Sequence, residues 1–193
     1  MNLKKILISI AAITLAFQLQ FAQAANPTVK VETNKGTMVI ELYPDKAPKT
    51  VANFLSYVHD GAYDGTIFHR VIKDFMNQGG GFTADYKKVD TKEPIQNEAD
   101  NGLKNLKYTV AMARTGEPHS ATNQFFINTA DNAFLDHTAK TTRGWGYTVF
   151  GKVIEGQNIA GAISRVQTGQ GGPFQSDVPR TAIIIEKITE IKE

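Results

Sequence analysis

Phe68-His69-Arg70-Val71-Ile72-Lys73-Asp74-Phe75-Met76-Asn77-Gln78-Gly79-Gly80 is the stretch on which the fold of this chain turns. Residues 67–72 form a short β-rich run. Phe68, Phe75 and Met76 crowd one arginine, and Phe125, Phe126, Phe134 and Leu135 add large apolar side chains from later segments. On composition alone these are core residues and Arg70 is a solvated strand position, the common fate of such a set.

On the N-terminal side of this stretch, residues 29–33 and 37–43 are two β-biased runs flanking Asn34-Lys35-Gly36, which reads as a hairpin. Lys46-Ala47-Pro48-Lys49-Thr50 then opens a helix. Val51, Phe54, Leu55 and Val58 fall at i, i+3, i+4 and i+7, and Gly61 ends it. On the C-terminal side, residues 108–113, 124–128 and 147–153 are further short β-rich runs, and Ile159, Ala162, Ile163 and Val166 indicate a second short helix. Residues 181–188 close the chain as a strand with little solvent exposure. Many short strands with two helices imply a barrel or sandwich. Residues 85–106 and 137–146 are polar and turn-rich, hence surface loops, and the glycines at 79–81 and 169–172 read as turns.

The N-terminus has Lys4 and Lys5, an apolar run over residues 6–17, and Ala22-Gln23-Ala24. This is the pattern of a secretory signal peptide, with cleavage expected after Ala24, leaving residues 25–193 as one domain. The apolar run is well short of the ~20 residues that span a bilayer. Export to a periplasm is expected, with the outside medium as the alternative. The leader holds two of the 21 basic residues and no acidic one, so 19 basic and 19 acidic side chains remain. That balance removes the electrostatic argument for nucleic acid or an anionic membrane surface as partner. With no cysteine, stability rests on packing.

The site chemistry is narrow. His59, His69, His119 and His137 lack metal-ligand spacing, no carboxylates cluster with them, and no cofactor or metal is expected. Ser120 has no nucleophile elbow, and the glycine runs match neither a P-loop nor a dinucleotide fingerprint.

Five blocks in order carry a family resemblance: 68–72, 75–80, Ala111-Met112-Ala113, Gln124-Phe125-Phe126-Ile127 and Val149-Phe150-Gly151-Lys152-Val153 resemble the signature blocks of cyclophilins. Residues 98–105 resemble the bacterial branch. The resemblance implies a closed eight-stranded antiparallel β-barrel capped by two α-helices, and peptidyl-prolyl cis-trans isomerase activity on proline-containing, incompletely folded exported polypeptides. A monomer is expected. It implies a catalytic Arg70, a proline pocket of Phe75, Met76, Phe126 and Leu135, polar contacts from Gln78 and Gln124, main-chain contacts at Arg114, and Ala113 among the substrate-binding residues. Phe125 is expected to point away from Phe126 into the barrel, and His69 to be structural. Two positions depart from the family pattern. Phe134 replaces a frequent rim tryptophan, and Tyr147 a frequent pocket histidine. The first removes an indole N–H, so weak cyclosporin binding is expected.

Overall fold

The computed structural model describes residues 25–191, so the expected signal peptide lies outside the described residues. Strands β1 (Thr28–Thr33) and β2 (Gly36–Leu42) form the expected hairpin, in register from Thr28 opposite Glu41 to Thr33 opposite Gly36. Val29 and Val31 face inward while Lys30 and Glu32 stay at the surface, the period-two pattern of a half-buried strand.

Helix α1 (Pro48–His59) buries Val51, Phe54 and Val58 as their spacing predicts, and Tyr57 with them; Leu55 packs at the edge of the same core. Its first N–H groups have no local side-chain cap. The Glu98 carboxylate, from the polar stretch 85–106, accepts from the N–H of Lys49 at 3.1 Å, the N–H of Thr50 at 2.9 Å and the Thr50 hydroxyl at 2.7 Å. An anion therefore stands at the positive end of the helix dipole, supplied from 48 residues away. Gly61, at φ 66°, carries the chain out of the helix.

The remaining strands are β3 (Thr66–Ile67), β4 (Arg70–Ile72), β5 (Met76–Gly79), β6 (Thr109–Met112), β7 (Phe125–Asn128), β8 (Val149–Glu155), β9 (Thr168–Gly171), β10 (Phe174–Pro179) and β11 (Ile184–Ile191). Nine of the eleven strands make one curled antiparallel sheet, ordered β3-β11-β1-β2-β8-β6-β7-β5-β4. The expected fold is thus mostly β with two helices, but the sheet has nine strands rather than eight. The run 67–72 is split because Phe68 and His69 leave the ladder between β3 and β4. These two strands are the ends of the sheet, so its edges are joined by chain continuity and not by a ladder between them.

Two further expectations change. Helix α2 (Gln157–Ile163) stops before Val166 and buries Ala160 and Ile163, whereas Ala162 is exposed. The glycines at 169–172 do more than turn: β9 and β10 form a separate two-stranded sheet around Gly172, and β10 lies beside β4.

The interior is an aromatic cluster in which Phe54 contacts Tyr63, Phe125 and Phe150 at centroid distances of 5.3, 5.6 and 5.1 Å, all fully buried. A second, smaller cluster of Met76, Ala111, Phe126, Leu135 and Val149 lies on the other face of the β5-β7-β6 region. Alternation along β7 divides the two, with Phe125 in the main core and Phe126 in the smaller cluster.

Candidate active site

The smaller cluster opens to the surface as a pocket of about 100 Å³, lined by Arg70, Phe75, Met76, Gln78, Ala113, Arg114, Phe126, Leu135 and Tyr147. Nine of the eleven residues singled out in the sequence are therefore brought to one concavity. Pairing explains how. Arg70 on β4 stands opposite Gln78 on β5, and Gln78 stands opposite Phe126 on β7, so three neighbouring strands present one residue each at the same level. Met76 and Leu135 are buried in the floor, and Tyr147 meets the Phe126 ring edge-on at 5.7 Å.

Two residues stand elsewhere. Gln124 lines an adjoining polar groove of about 250 Å³ with Thr115, Ser120 and Thr122, and reaches the pocket only by accepting a hydrogen bond from the Gln78 amide at 2.9 Å. Gly81 leaves room for it, since a Cβ there would stand 2.5 Å from the Gln124 side-chain carbon. Phe134 is 74% exposed and leans on Phe75 at 5.5 Å, forming a rim outside the lining.

The Arg114 guanidinium is occupied by the chain itself. It donates to the carbonyls of Gly146, Thr115 and Gly116 at 2.9, 2.9 and 3.2 Å and stacks 4.6 Å from the Tyr147 ring centre. Among the described residues no hydrogen bond engages the backbone N–H or C=O of Arg114, so both are open to an extended peptide. Trp145 does not line the pocket. It is buried, its indole N–H directed at the His119 ring 3.1 Å away, and it fastens loop 137–146.

Arg70 is half-exposed, and its Nε lies 3.8 Å from the Asp177 carboxylate on β10. Its neighbour His69 points the other way, buried between Phe82 and Phe174 at 4.8 and 5.3 Å. Burial away from water lowers the His69 pKa to about 4 from 6.5, outweighing a backbone hydrogen bond to Ile67. Among the described residues no group of three or more His, Cys, Asp or Glu side chains is placed to hold a metal ion. What the pocket offers is a cationic, multidentate donor beside an apolar recess the size of a small ring.

A family model described as cyclophilin type peptidyl-prolyl cis-trans isomerase/CLD matches residues 28–190. The chain belongs to the cyclophilin family. This cyclophilin is 62% identical over 159 residues to the peptidyl-prolyl cis-trans isomerase cyp18 of Streptomyces antibioticus, covering 82% of the chain and 95% of that relative. It is 54% identical to peptidyl-prolyl cis-trans isomerase B of Escherichia coli K12, covering 83% and 98%. It is 50% identical to peptidyl-prolyl cis-trans isomerase A of Dickeya dadantii, covering 98% and 99%. Among solved structures it is similar to a Cryptosporidium parvum cyclophilin type isomerase determined in the presence of the dipeptide Ala-Pro, at a TM-score of 0.68, 26% identity and 86% and 99% coverage. Like these relatives, this cyclophilin is a peptidyl-prolyl cis-trans isomerase.

Sequence reasoning missed the β9-β10 hairpin, and with it Asp177 and Phe174. Gly172-Pro173 between Thr168 and Val178 is a turn flanked by β-branched residues, a signal that was present but outweighed by the glycine content. Thr115 and Thr122 of the polar groove carried no local signal.

Proposed function

We propose that this isomerase turns X-Pro bonds of exported, incompletely folded proteins, seating the proline ring on Phe75, Met76, Phe126 and Leu135 and donating from Arg70. The observation that carries this reading is the shared pocket: the Arg70 guanidinium, which among the described residues no hydrogen bond to the protein occupies, and the apolar side chains of Phe75, Met76, Phe126 and Leu135 line the same recess. Rotation about an X-Pro amide takes tens to hundreds of seconds unaided, behind a barrier of ~18–20 kcal/mol. No covalent bond breaks, so the absence of a nucleophile motif fits the chemistry. As the bond twists, amide resonance is lost and the proline nitrogen gains a lone pair. Arg70 donates to that lone pair and holds the proline carbonyl with its other arm, an interaction stronger in the twisted state than in the planar one.

Bringing a step of ~100 s to ~1 ms requires about 10⁵-fold, or ~7 kcal/mol. A charge-assisted hydrogen bond contributes about 1.5–3 kcal/mol. The apolar pocket supplies the larger remainder. Planar amide resonance separates charge, so transfer out of water penalises the planar form more than the twisted one. Gln78 and Gln124 bond the peptide beside the ring, and the open backbone groups of Arg114 hold it extended, next to Ala113. Phe134 and Tyr147 form an aromatic rim without an indole N–H, which weakens cyclosporin binding.

The leader in residues 1–24 supports export to the periplasm, where the isomerase acts as a monomer on client chains. Cell fractionation is expected to recover a shortened protein beginning at Ala25 in the periplasmic fraction; retention in the cytoplasm at full length contradicts export. For the reaction, cis-to-trans conversion of a short X-Pro peptide is expected to outpace buffer by orders of magnitude. Peptide binding without acceleration would reduce the groove to a proline-peptide binding module.

A further inference from the structure

Arg70 is a long, half-exposed side chain on β4, an end strand of the sheet, and nothing in its own strand pair fixes its guanidinium. What faces it comes from the separate hairpin. In β10 the register breaks between Phe174, opposite Gly171, and Val178, opposite Gly169. Three residues, 175–177, thus stand against one, Gln170, forming a bulge. At its end Asp177 adopts φ 66°, a left-handed conformation uncommon outside glycine. The side chain so directed brings its carboxylate to 3.8 Å from Arg70 Nε. Bulges of this kind re-aim a side chain, and here the re-aimed group is an anion beside the guanidinium in the pocket that, unlike that of Arg114, makes no hydrogen bond to the protein among the described residues.

The hairpin that carries Asp177 is itself anchored. Phe174 stacks on His69 and meets Phe82 at 5.1 Å, and Tyr86 covers the turn so closely that a Cβ on Gly172 would stand 2.3 Å from its ring. The carboxylate is therefore held by a fixed element, and the contact is made at Nε. Among the described residues, the terminal nitrogens of Arg70 carry no hydrogen bond to the protein. A two-armed donor needs one edge oriented and the other free for substrate, and here one edge faces a carboxylate at ion-pair distance while the other, among the described residues, carries no hydrogen bond to the protein.

We propose that Asp177 is a positioning residue for catalysis, orienting the Arg70 guanidinium toward the proline pocket; the inference rests on the reading of Arg70 as the donor. Asp177→Asn tests it with little change in backbone, because asparagine tolerates the left-handed conformation as aspartate does. Asp177→Gly removes the side chain while keeping that conformation accessible. Both variants are expected to lose about fivefold in kcat, the upper range for a partly exposed ion pair, with KM within about twofold and unfolding midpoints unchanged. The Arg70 Nε–H resonance is expected to shift in both. In an Arg70→Ala background, Asp177→Asn is expected to have no further effect, since its role passes through that guanidinium. Wild-type kcat in Asp177→Asn, or an equal loss in the Arg70→Ala background, overturns the proposal. Wild-type kcat in Arg70→Ala alone would overturn the donor role of Arg70 instead, so the two failures are distinguishable.

Discussion

His69 and Arg70 are adjacent, yet one is a buried aromatic strut and the other a half-exposed cation lining the pocket. The difference is the interruption between β3 and β4, which sends His69 toward Phe82 and Phe174 while Arg70 rejoins the ladder opposite Gln78. The pKa of about 4 for His69 has a consequence for stability. An unfolded histidine binds a proton near pH 6.5, the folded one only near 4, so between these values the unfolded state holds more protons. Stability is therefore expected to fall as pH drops from 6.5 to 4, by up to about 3 kcal/mol. His69→Phe, which keeps a ring between its neighbours, is expected to flatten this part of the profile in urea unfolding at a series of pH values; an unchanged slope would show that other groups cause it. At the rim, Phe134→Trp restores an indole N–H and is expected to tighten cyclosporin binding by about tenfold, read by calorimetric titration. No gain would mean that the exposed position 134 does not reach the ligand.

Strand β7 and helix α1 show how elements divide the work. Phe125→Ala is expected to cost about 3–5 kcal/mol of stability while leaving kcat/KM per folded molecule near wild type. Phe126→Ala is expected to lower kcat/KM by about tenfold or more, since it removes a wall of the pocket. If the first variant lost activity per folded molecule and the second did not, the assignment of the two faces would be reversed. This alternation was legible in the sequence, because period two is a local property of a strand. So was the buried face of α1. Its capping was not: Glu98 reaches Lys49 and Thr50 from a distant polar stretch, and no local pattern marks it. Glu98→Ala is expected to lower stability by about 1 kcal/mol in denaturant unfolding, with kcat unchanged. The β9-β10 hairpin was obscured for another reason. Its stability comes from Phe174 and Tyr86 packing on neighbours rather than from strand propensity, so Gly169, Gly171 and Gly172 dominate any local reading.

Over the whole molecule, the sheet links the two ends of the described chain. β1 pairs with β11 from Thr28 opposite Ile191 onward, and β11 also pairs with β3, so the strand that leads into Arg70 leans on the last described strand. A chain truncated before Ile184 is expected to show neither a cooperative unfolding transition nor isomerase activity; a folded, active truncation would contradict that dependence. The same topology explains how nine of the eleven candidate residues, read from blocks far apart in sequence, converge on a single pocket, while Gln124 and Phe134 take neighbouring places. On the proposed mechanism the pocket lowers most of the barrier and Arg70 a minority of it. The most direct test is the cis-to-trans rate of a short X-Pro peptide with wild type and Arg70→Ala at equal folded concentration. Arg70→Ala is expected to lose about ten- to hundredfold, leaving catalysis still well above buffer. A variant as fast as wild type, or no faster than buffer, would contradict it.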